Sequence, residues 1–124
     1  MSKPKAPRRV GDKEALSVGT QIRGSAQKLN LVAALIRGHK AEDAMNILAF
    51  SKKAMAVDAR KVLASAIANA ENNHNLSSSD LVVVSATVNQ GPVLKRSLPA
   101  ARGSAHPIHK SMSHIRVALA SATK

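Results

Sequence analysis

The sequence predicts an α+β fold: a small three-stranded antiparallel sheet packed on three helices, with a long protruding β-hairpin. Three observations predict it. Apolar residues recur at helical spacing in three consecutive segments, and they alternate with polar residues in three others. A basic stretch, 90–112, separates the last two alternating segments. The chain of 124 residues is the length of one domain, assigned to 16–124 and preceded by a flexible basic arm over 1–15.

The N-terminal arm and the first strand differ sharply in pattern. The arm contains two prolines and little apolar surface, which predicts disorder in the free protein, and its basic residues are Lys3, Lys5, Arg8, Arg9 and Lys13. From Leu16 to Ile22, apolar and polar side chains alternate with a period of two. That period predicts a short, half-buried strand.

Three helices follow the first strand. The first is expected over 25–37, with Ser25 as the N-cap candidate and Gly38 at its end. The second runs from Ala41 to about Phe50, and the third covers roughly 53–73. The residues expected to face the core are Leu29, Val32, Ala33, Ile36, Ala44, Ile47, Leu48, Met55, Ala59, Val62, Ala66, Ile67 and Ala70.

Two further strands complete the predicted sheet. From Val82 the even-numbered positions are apolar up to Val88, so these side chains are expected to face the core. Near the C-terminus, the alternation of Ile115, Val117 and Leu119 with polar neighbours predicts the last strand. The hairpin is therefore expected over about 82–118, with its tip at about 91–107.

The basic stretch 90–112 is unusual for a connection between strands, because ordered loops of more than about 15 residues are uncommon. It holds three prolines and no acid, and Asp80 is the last acidic residue of the chain. Its few large apolar side chains would contribute roughly 8–15 kcal/mol if fully buried. Ordering its backbone costs more, at roughly 1–2 kcal/mol per residue. We expect the stretch to be mobile in the free protein and fixed by an anionic partner.

Composition narrows the function classes. The net charge of +12 and the pI of about 11.1 indicate a polyanionic partner. The absence of cysteine excludes disulfides and thiol chemistry, and the single aromatic residue, Phe50, argues against binding single strands by base stacking. No apolar run has the length of a membrane span, so we expect a soluble, cytoplasmic protein. Nothing resembles a catalytic or phosphate-binding motif, which predicts no enzyme activity and no cofactor.

Four alternatives accompany this interpretation. His106, His109 and His114 suggest a metal site, but no cysteine or nearby carboxylate supports one. The first two helices around Gly38 could form a helix-turn-helix, although an ordinary helical hairpin is favoured because the charge is not concentrated on the second helix. A nucleoid-type DNA-binding protein is the main functional alternative, and a cationic membrane-active protein is a second one.

Several blocks of the sequence, in order, resemble the L-twenty-two family of bacterial large-subunit ribosomal proteins. The resemblance runs from about Leu16 to Ser121 and is strongest in the blocks 25–38 (SAQKLNLVAALIRG), 64–71 (ASAIANAE), 91–96 (GPVLKR), 102–103 (RG) and 113–115 (SHI). It implies an early-binding ribosomal RNA protein with no enzymatic activity. Its partners would be large-subunit ribosomal RNA, neighbouring large-subunit ribosomal proteins and the nascent peptide, with no membrane. The hairpin would line the nascent-peptide exit tunnel, where the family also influences macrolide antibiotics.

The charge distribution and the resemblance together suggest the RNA-binding residues. These are Arg23, Lys28, Lys52, Lys53, Lys61, Lys95, Arg96, Arg102, His106, His109, Lys110, His114 and Arg116. The resemblance further implies a tunnel-lining tip that comprises Gly91, Pro92, Leu94, Lys95, Arg96, Pro99, Arg102 and Gly103. Ala100 and Ser104 stand where the family usually has arginine, and Asn30 occupies a commonly basic position. No RNA contact is carried over to those three.

Overall fold

The computed structural model describes residues 2–7, 11 and 13–122, and it confirms the α+β architecture. The predicted arm residues Arg8 and Arg9 lie outside the described residues, while Lys3 and Lys5 are exposed and outside any helix or strand. The elements are β1 (Glu14–Arg23), α1 (Ala26–Ile36), α2 (Ala41–Phe50), α3 (Met55–His74), β2 (Leu81–Pro99) and β3 (Ala105–Ser121), with short 3-10 turns at Ser78–Asp80 and Ala101–Gly103.

The sheet has the order β1-β3-β2, and both pairings are antiparallel. The C-terminal strand is therefore the central one. Ile115, Val117 and Leu119 of β3 are fully buried, as the alternation predicts. Because successive side chains of a strand point to opposite faces, the odd-numbered residues of β3 form the face that packs on the helices.

The helices begin and end close to their predicted positions. The Oγ of Ser25 accepts a hydrogen bond from the backbone N of Lys28 at 3.4 Å, which confirms it as the N-cap of α1. Gly38 follows the C-cap residue of α1, with a left-handed φ of 79° that a glycine adopts without steric cost. Its amide donates to the carbonyl of Val83, so the turn after α1 is attached to β2.

The core is rich in alanine and matches the predicted stripes with a few exceptions. Along α3, Ala59, Val62, Ala66 and Ala70 are buried, as expected. Three predicted residues are only half-buried, namely Ile47, Met55 and Ile67, and the last two pack against the edge of the core. Ala56 and Leu63, absent from the predicted stripe, are buried instead. The small alanine side chains let the helices approach the sheet closely.

The predicted face of β2 was wrong at its start. Leu81 and Val83 are fully buried, whereas Val84 is 54% exposed and Val82 is half-buried. The register shifts between Val83 and Ser85, where β2 has one more residue than β3. This bulge moves the buried side chains from odd to even positions, so that Ala86 rejoins the core.

The hairpin continues both strands without interruption through the basic stretch. Pairing between β2 and β3 extends to Pro99 and Ala105. The turn itself therefore occupies only 100–104. At about 3.3 Å per residue, the arm from Gln90 to Pro99 is about 30–35 Å long.

Two bulges face each other across β3 where the hairpin leaves the body. On β1, Thr20 and Gln21 lie opposite His114, and on β2, Gly91 and Pro92 lie opposite Met112. We call this region the hairpin root. A Cβ on Gly91 would lie 2.9 Å from the carbonyl oxygen of Met112, so only glycine fits there without a shift of the backbone.

The turn between α1 and α2 is fixed to the sheet. The amide of Val83 donates to the carbonyl of His39 at 2.9 Å, and Lys40 forms a β-bridge with Val82. The helix pair is thus an ordinary helical hairpin whose turn belongs to the body. Within the described residues, no helix has the length and hydropathy needed to cross a membrane.

Candidate nucleic-acid interface

The hairpin differs from the body in having no core of its own. Every residue from Asn89 to Met112 is exposed or half-buried. The sequence contains no carboxylate side chain after Asp80, so no acid within the hairpin can neutralise its cations. The basic side chains of this segment are all exposed, and they are Lys95, Arg96, Arg102, His106, His109 and Lys110. Their charge is available to a partner.

Strand alternation distributes these cations over both faces of the hairpin. Lys95 lies opposite His109, and Arg96 lies opposite Ile108. Since β3 has no extra residue between Ala105 and Leu119, its even-numbered side chains share one face. That face carries a row of basic side chains from the sheet to the hairpin tip, which we call the cationic stripe: Arg96, His106, Lys110, His114 and Arg116. It is continuous with the sheet face opposite the one that packs on the helices.

His114 has a structural contact as well as a place in the stripe. Its Nδ1 accepts a hydrogen bond from the backbone N of Gln21 at 3.1 Å. Gln21 belongs to the β1 bulge and has a φ of 55°, so this bond satisfies an amide that the bulge removes from the ladder. With Nδ1 as the acceptor, the neutral ring carries its proton on Nε2, which leaves a donor for a partner.

The turn at the hairpin tip is closed by its own hydrogen bonds. The amide of Ala100 donates to the carbonyl of Ser104 at 2.8 Å, and the Ser104 hydroxyl donates to the carbonyl of Ala101 at 2.8 Å. Arg102 and Gly103 both have left-handed φ values, 63° and 74°. The tip therefore presents an exposed arginine on a tight turn of small residues.

A second group of predicted cations lies near the hairpin root. The amide of Gly24 donates to the carbonyl of Ser111 at 3.1 Å, which places its neighbour Arg23 beside β3. A Cβ on Gly24 would lie 2.5 Å from the sulfur of Met55, so the turn that precedes α1 lies against the first residue of α3. The exposed cations on these segments are Arg23 at the end of β1, Lys28 in the first turn of α1, and Lys52 and Lys53 just before α3.

Lys61 lies elsewhere, on the outer side of α3. It lines a cleft between α2 and α3 together with Arg60. Sequence reasoning missed Gln21, whose role depends on a bulge that no sequence pattern signals.

The histidines do not converge on a metal site. His106 and His109 are three residues apart on a regular strand, so their side chains point to opposite faces. Within residues 2–7, 11 and 13–122, no group of three or more potential ligands is positioned to hold a metal ion.

Comparison with known proteins identifies the family. The sequence model of the family described as "Ribosomal protein L22p/L17e" matches residues 17–120. The chain belongs to this ribosomal protein family. The chain is also similar to "Large ribosomal subunit protein uL22" of Novosphingobium aromaticivorans, at 74% identity over 94% of both chains. The same-named protein of Zymomonas mobilis is 65% identical over 94% of this chain and 93% of its own, and that of Beijerinckia indica is 50% identical over 99% and 95%.

Membership of the L22p/L17e family confirms the predicted class. The family consists of structural, non-enzymatic proteins of the ribosome, and this chain is one of them. Its location is therefore the ribosome of the cytoplasm.

Two departures from the family pattern have internal hydrogen bonds in this member of the L22p/L17e family. Asn30 accepts a bond from Nη2 of Arg37 at 2.6 Å through its Oδ1, while Nε of Arg37 donates to the carbonyl of Ala86 at 2.8 Å. Asn30 thus helps to attach α1 to β2. Ser104 closes the tip turn, as described above. Both side chains stabilise the protein's own conformation.

Proposed function

We propose that this chain binds large-subunit ribosomal RNA, assists assembly of the subunit, and lines the nascent-peptide exit tunnel with its hairpin. One observation carries the proposal: the hairpin is long, has no buried residue between Asn89 and Met112, and has exposed cations on both faces with no acid. Such a segment gains little stability from its own chain. Folded RNA supplies the phosphates that it lacks.

The positions of the cations favour binding to a folded RNA surface. The cationic stripe covers about 33 Å from His106 to Arg116, and Lys95 and His109 lie on the opposite face. A rod with charge on two faces suits insertion between RNA segments, where both faces meet phosphate groups. Recognition would depend on shape and backbone, because A-form grooves display little sequence information to side chains.

The root provides a second part of the RNA interface. The segments that meet beside β3 carry four exposed cations, namely Arg23, Lys28, Lys52 and Lys53. The first turn of α1 contains no acidic residue. The N-terminal ends of helices carry partial positive charge, which adds to that of the lysines. In this proposal the root binds RNA at the subunit surface and sets the direction in which the hairpin enters.

The tip is proposed to reach the exit tunnel. The tip set of the sequence analysis, 91–107, contains Gly91, Pro92, Leu94, Pro99 and Gly103 beside its cations. The small side chains of the turn 100–104 permit close approach of RNA and leave space for a passing peptide. Arg102, exposed on this turn, is the cation closest to the end of the hairpin.

Binding of the purified chain to large-subunit ribosomal RNA tests the proposal. If about six phosphates are neutralised, a plot of log K against log salt concentration has a slope of about −4 to −5. A slope shallower than about −2 contradicts the proposal. Duplex DNA is the competitor, and equal affinity for the two nucleic acids would favour the DNA-binding alternative. Cosedimentation with large subunits in high-salt gradients tests incorporation into the particle.

A further inference from the structure

The cleft between α2 and α3 lies on the outer side of the helices. It has a volume of about 290 Å³ and is lined by Met45, Val57, Arg60, Lys61 and Ala64. Val57, Arg60, Lys61 and Ala64 are spaced i, i+3, i+4 and i+7, so they form one face of α3. The buried face of α3, which includes Ala59 and Leu63, points the other way. The cleft is therefore an exposed surface of the body.

We propose that this cleft binds an apolar side chain flanked by a carboxylate, presented by a neighbouring protein of the ribosomal particle. The proposal assumes incorporation into the large subunit and adds a protein contact to it. Lys61 is assigned here to a protein interface in place of the RNA interface suggested by its charge.

The lining favours a protein over RNA. Three of the five lining residues, Met45, Val57 and Ala64, are apolar, and Val57 is 58% exposed. A phosphate gains nothing from the apolar part of the lining, because Met45, Val57 and Ala64 offer no hydrogen-bond donor to replace its water. No aromatic ring lines the cleft on which a base could stack. The flexible side chain of Met45 adapts readily to the shape of an inserted side chain.

The charge of the lining indicates that the bound segment carries a carboxylate beside its apolar side chain. Arg60 and Lys61 are the polar part of the lining, which includes no acid. Their cations complement a carboxylate next to the inserted apolar residue, and an arginine can bind a carboxylate through two parallel hydrogen bonds. The volume lies at the lower limit of small-molecule pockets, about 300–1,000 Å³, and suits a single side chain better than a cofactor.

Photo-crosslinking in purified large subunits tests this proposal. The variant Val57→p-benzoylphenylalanine is incorporated, the particles are irradiated, and the crosslinked segment is sequenced by mass spectrometry. We expect a segment of another ribosomal protein in which an apolar residue adjoins Asp or Glu. The matched control is Leu31→p-benzoylphenylalanine on α1, because Leu31 is also 58% exposed, and it should not crosslink to that segment.

The remaining outcomes are distinguishable. Crosslinks from position 57 to RNA alone, to a protein segment without a carboxylate, or to nothing overturn the proposal. Ala64→p-benzoylphenylalanine provides a second position in case the first variant is not incorporated. In the Val57 variant, adding Arg60→Glu and Lys61→Glu should lower the crosslink yield about tenfold, whereas Arg60→Lys should retain it. Failure of the unaltered chain to enter large subunits would instead contradict the proposed function.

Discussion

The body and the hairpin share one β-ladder but differ in what supports it. In the body, the odd-numbered residues of β3 pack on α1 and α3, and Ile115, Val117 and Leu119 are fully buried. In the hairpin, the same two strands remain paired from Val93 to Pro99 with no buried side chain. The comparison separates two sources of order: the body is stabilised by its own apolar contacts, whereas the hairpin has its backbone ladder and, in the proposed function, contacts with RNA.

The largest expected difference is in amide exchange of the free protein. Amides of 93–99 and 105–111 should exchange at least about a thousandfold faster than those of Val117 and Leu119. Opening of a segment without a core costs little, whereas exchange in the core requires global unfolding at about 5 kcal/mol or more. Hydrogen exchange measured by NMR checks this. Equally slow exchange in both regions would show that the hairpin holds its shape unaided.

Truncation of matched leucines gives the next largest effect. Leu63→Ala removes a fully buried side chain from α3 and should lower the free energy of unfolding by about 2–5 kcal/mol. Leu98→Ala removes a side chain of the hairpin that is 54% exposed. This variant should change the free energy of unfolding by no more than about 0.5 kcal/mol. Urea denaturation compares the two. A cost above 2 kcal/mol at Leu98 would reveal a packed hairpin.

A substitution at the hairpin root should have an intermediate effect on the free energy of unfolding. In Gly91→Ala, the new Cβ would lie 2.9 Å from the oxygen and 3.0 Å from the carbon of the Met112 carbonyl, so backbone atoms must move. We expect a loss of about 1–3 kcal/mol in unfolding free energy. The control is Gly103→Asn at the tip. A Cβ at this position has no neighbouring atom within 4 Å, and asparagine tolerates the left-handed φ. This control variant should leave the free energy of unfolding nearly unchanged.

Removal of hairpin charge should affect binding and spare folding. Lys95→Ala with Arg96→Ala should make the slope of log K against log salt less steep by about 2 and weaken RNA binding roughly tenfold at 0.15 M salt. The melting temperature of the free protein should not change, because both side chains are exposed. The control removes equal charge from the body, as Arg60→Ala with Lys61→Ala, and should leave the slope unchanged. A large fall in melting temperature for the hairpin variant would indicate internal packing.

The smallest effect concerns a buried hydroxyl. Ser113 is fully buried, and its Oγ has no hydrogen-bond partner among the residues that the structure describes. Ser113→Ala should therefore raise the free energy of unfolding by about 1 kcal/mol, since it removes an uncompensated polar group. Ser97→Ala on the exposed hairpin should have no measurable effect. A destabilised Ser113→Ala variant would show that the hydroxyl has a partner in solution.

The sequence was sufficient to predict elements whose pattern is local. Helical periodicity around Leu29 and Ile36, with Ser25 as N-cap, predicted α1 closely, and alternation at Ile115, Val117 and Leu119 predicted β3. The burial of Val83 instead of Val84 was not predictable, because a bulge inserts one residue without any signal in the alternation. The contact between His114 and Gln21, which are 93 residues apart, was not predictable either, because it depends on the bulge in β1.

The candidate interface was predictable in composition and only partly in arrangement. The absence of acids after Asp80 identified the hairpin as the charged segment. Its division into two faces required the register, which pairs Lys95 with His109 and Arg96 with Ile108. The association of Lys61 with Met45 required the packing of α2 on α3. Charge counts cannot distinguish a cation on an RNA surface from one beside an apolar cleft.

The position of β3 in the middle of the sheet has a consequence for synthesis of the chain. β1 and β2 are made first, but each forms its ladder with the strand that is made last. Until residues 105–121 have left the ribosome that makes them, both earlier strands have unpaired edges, which are sites of aggregation. The newly made protein thus acquires its sheet only after β3 has been made, when its cationic hairpin closes in the same event.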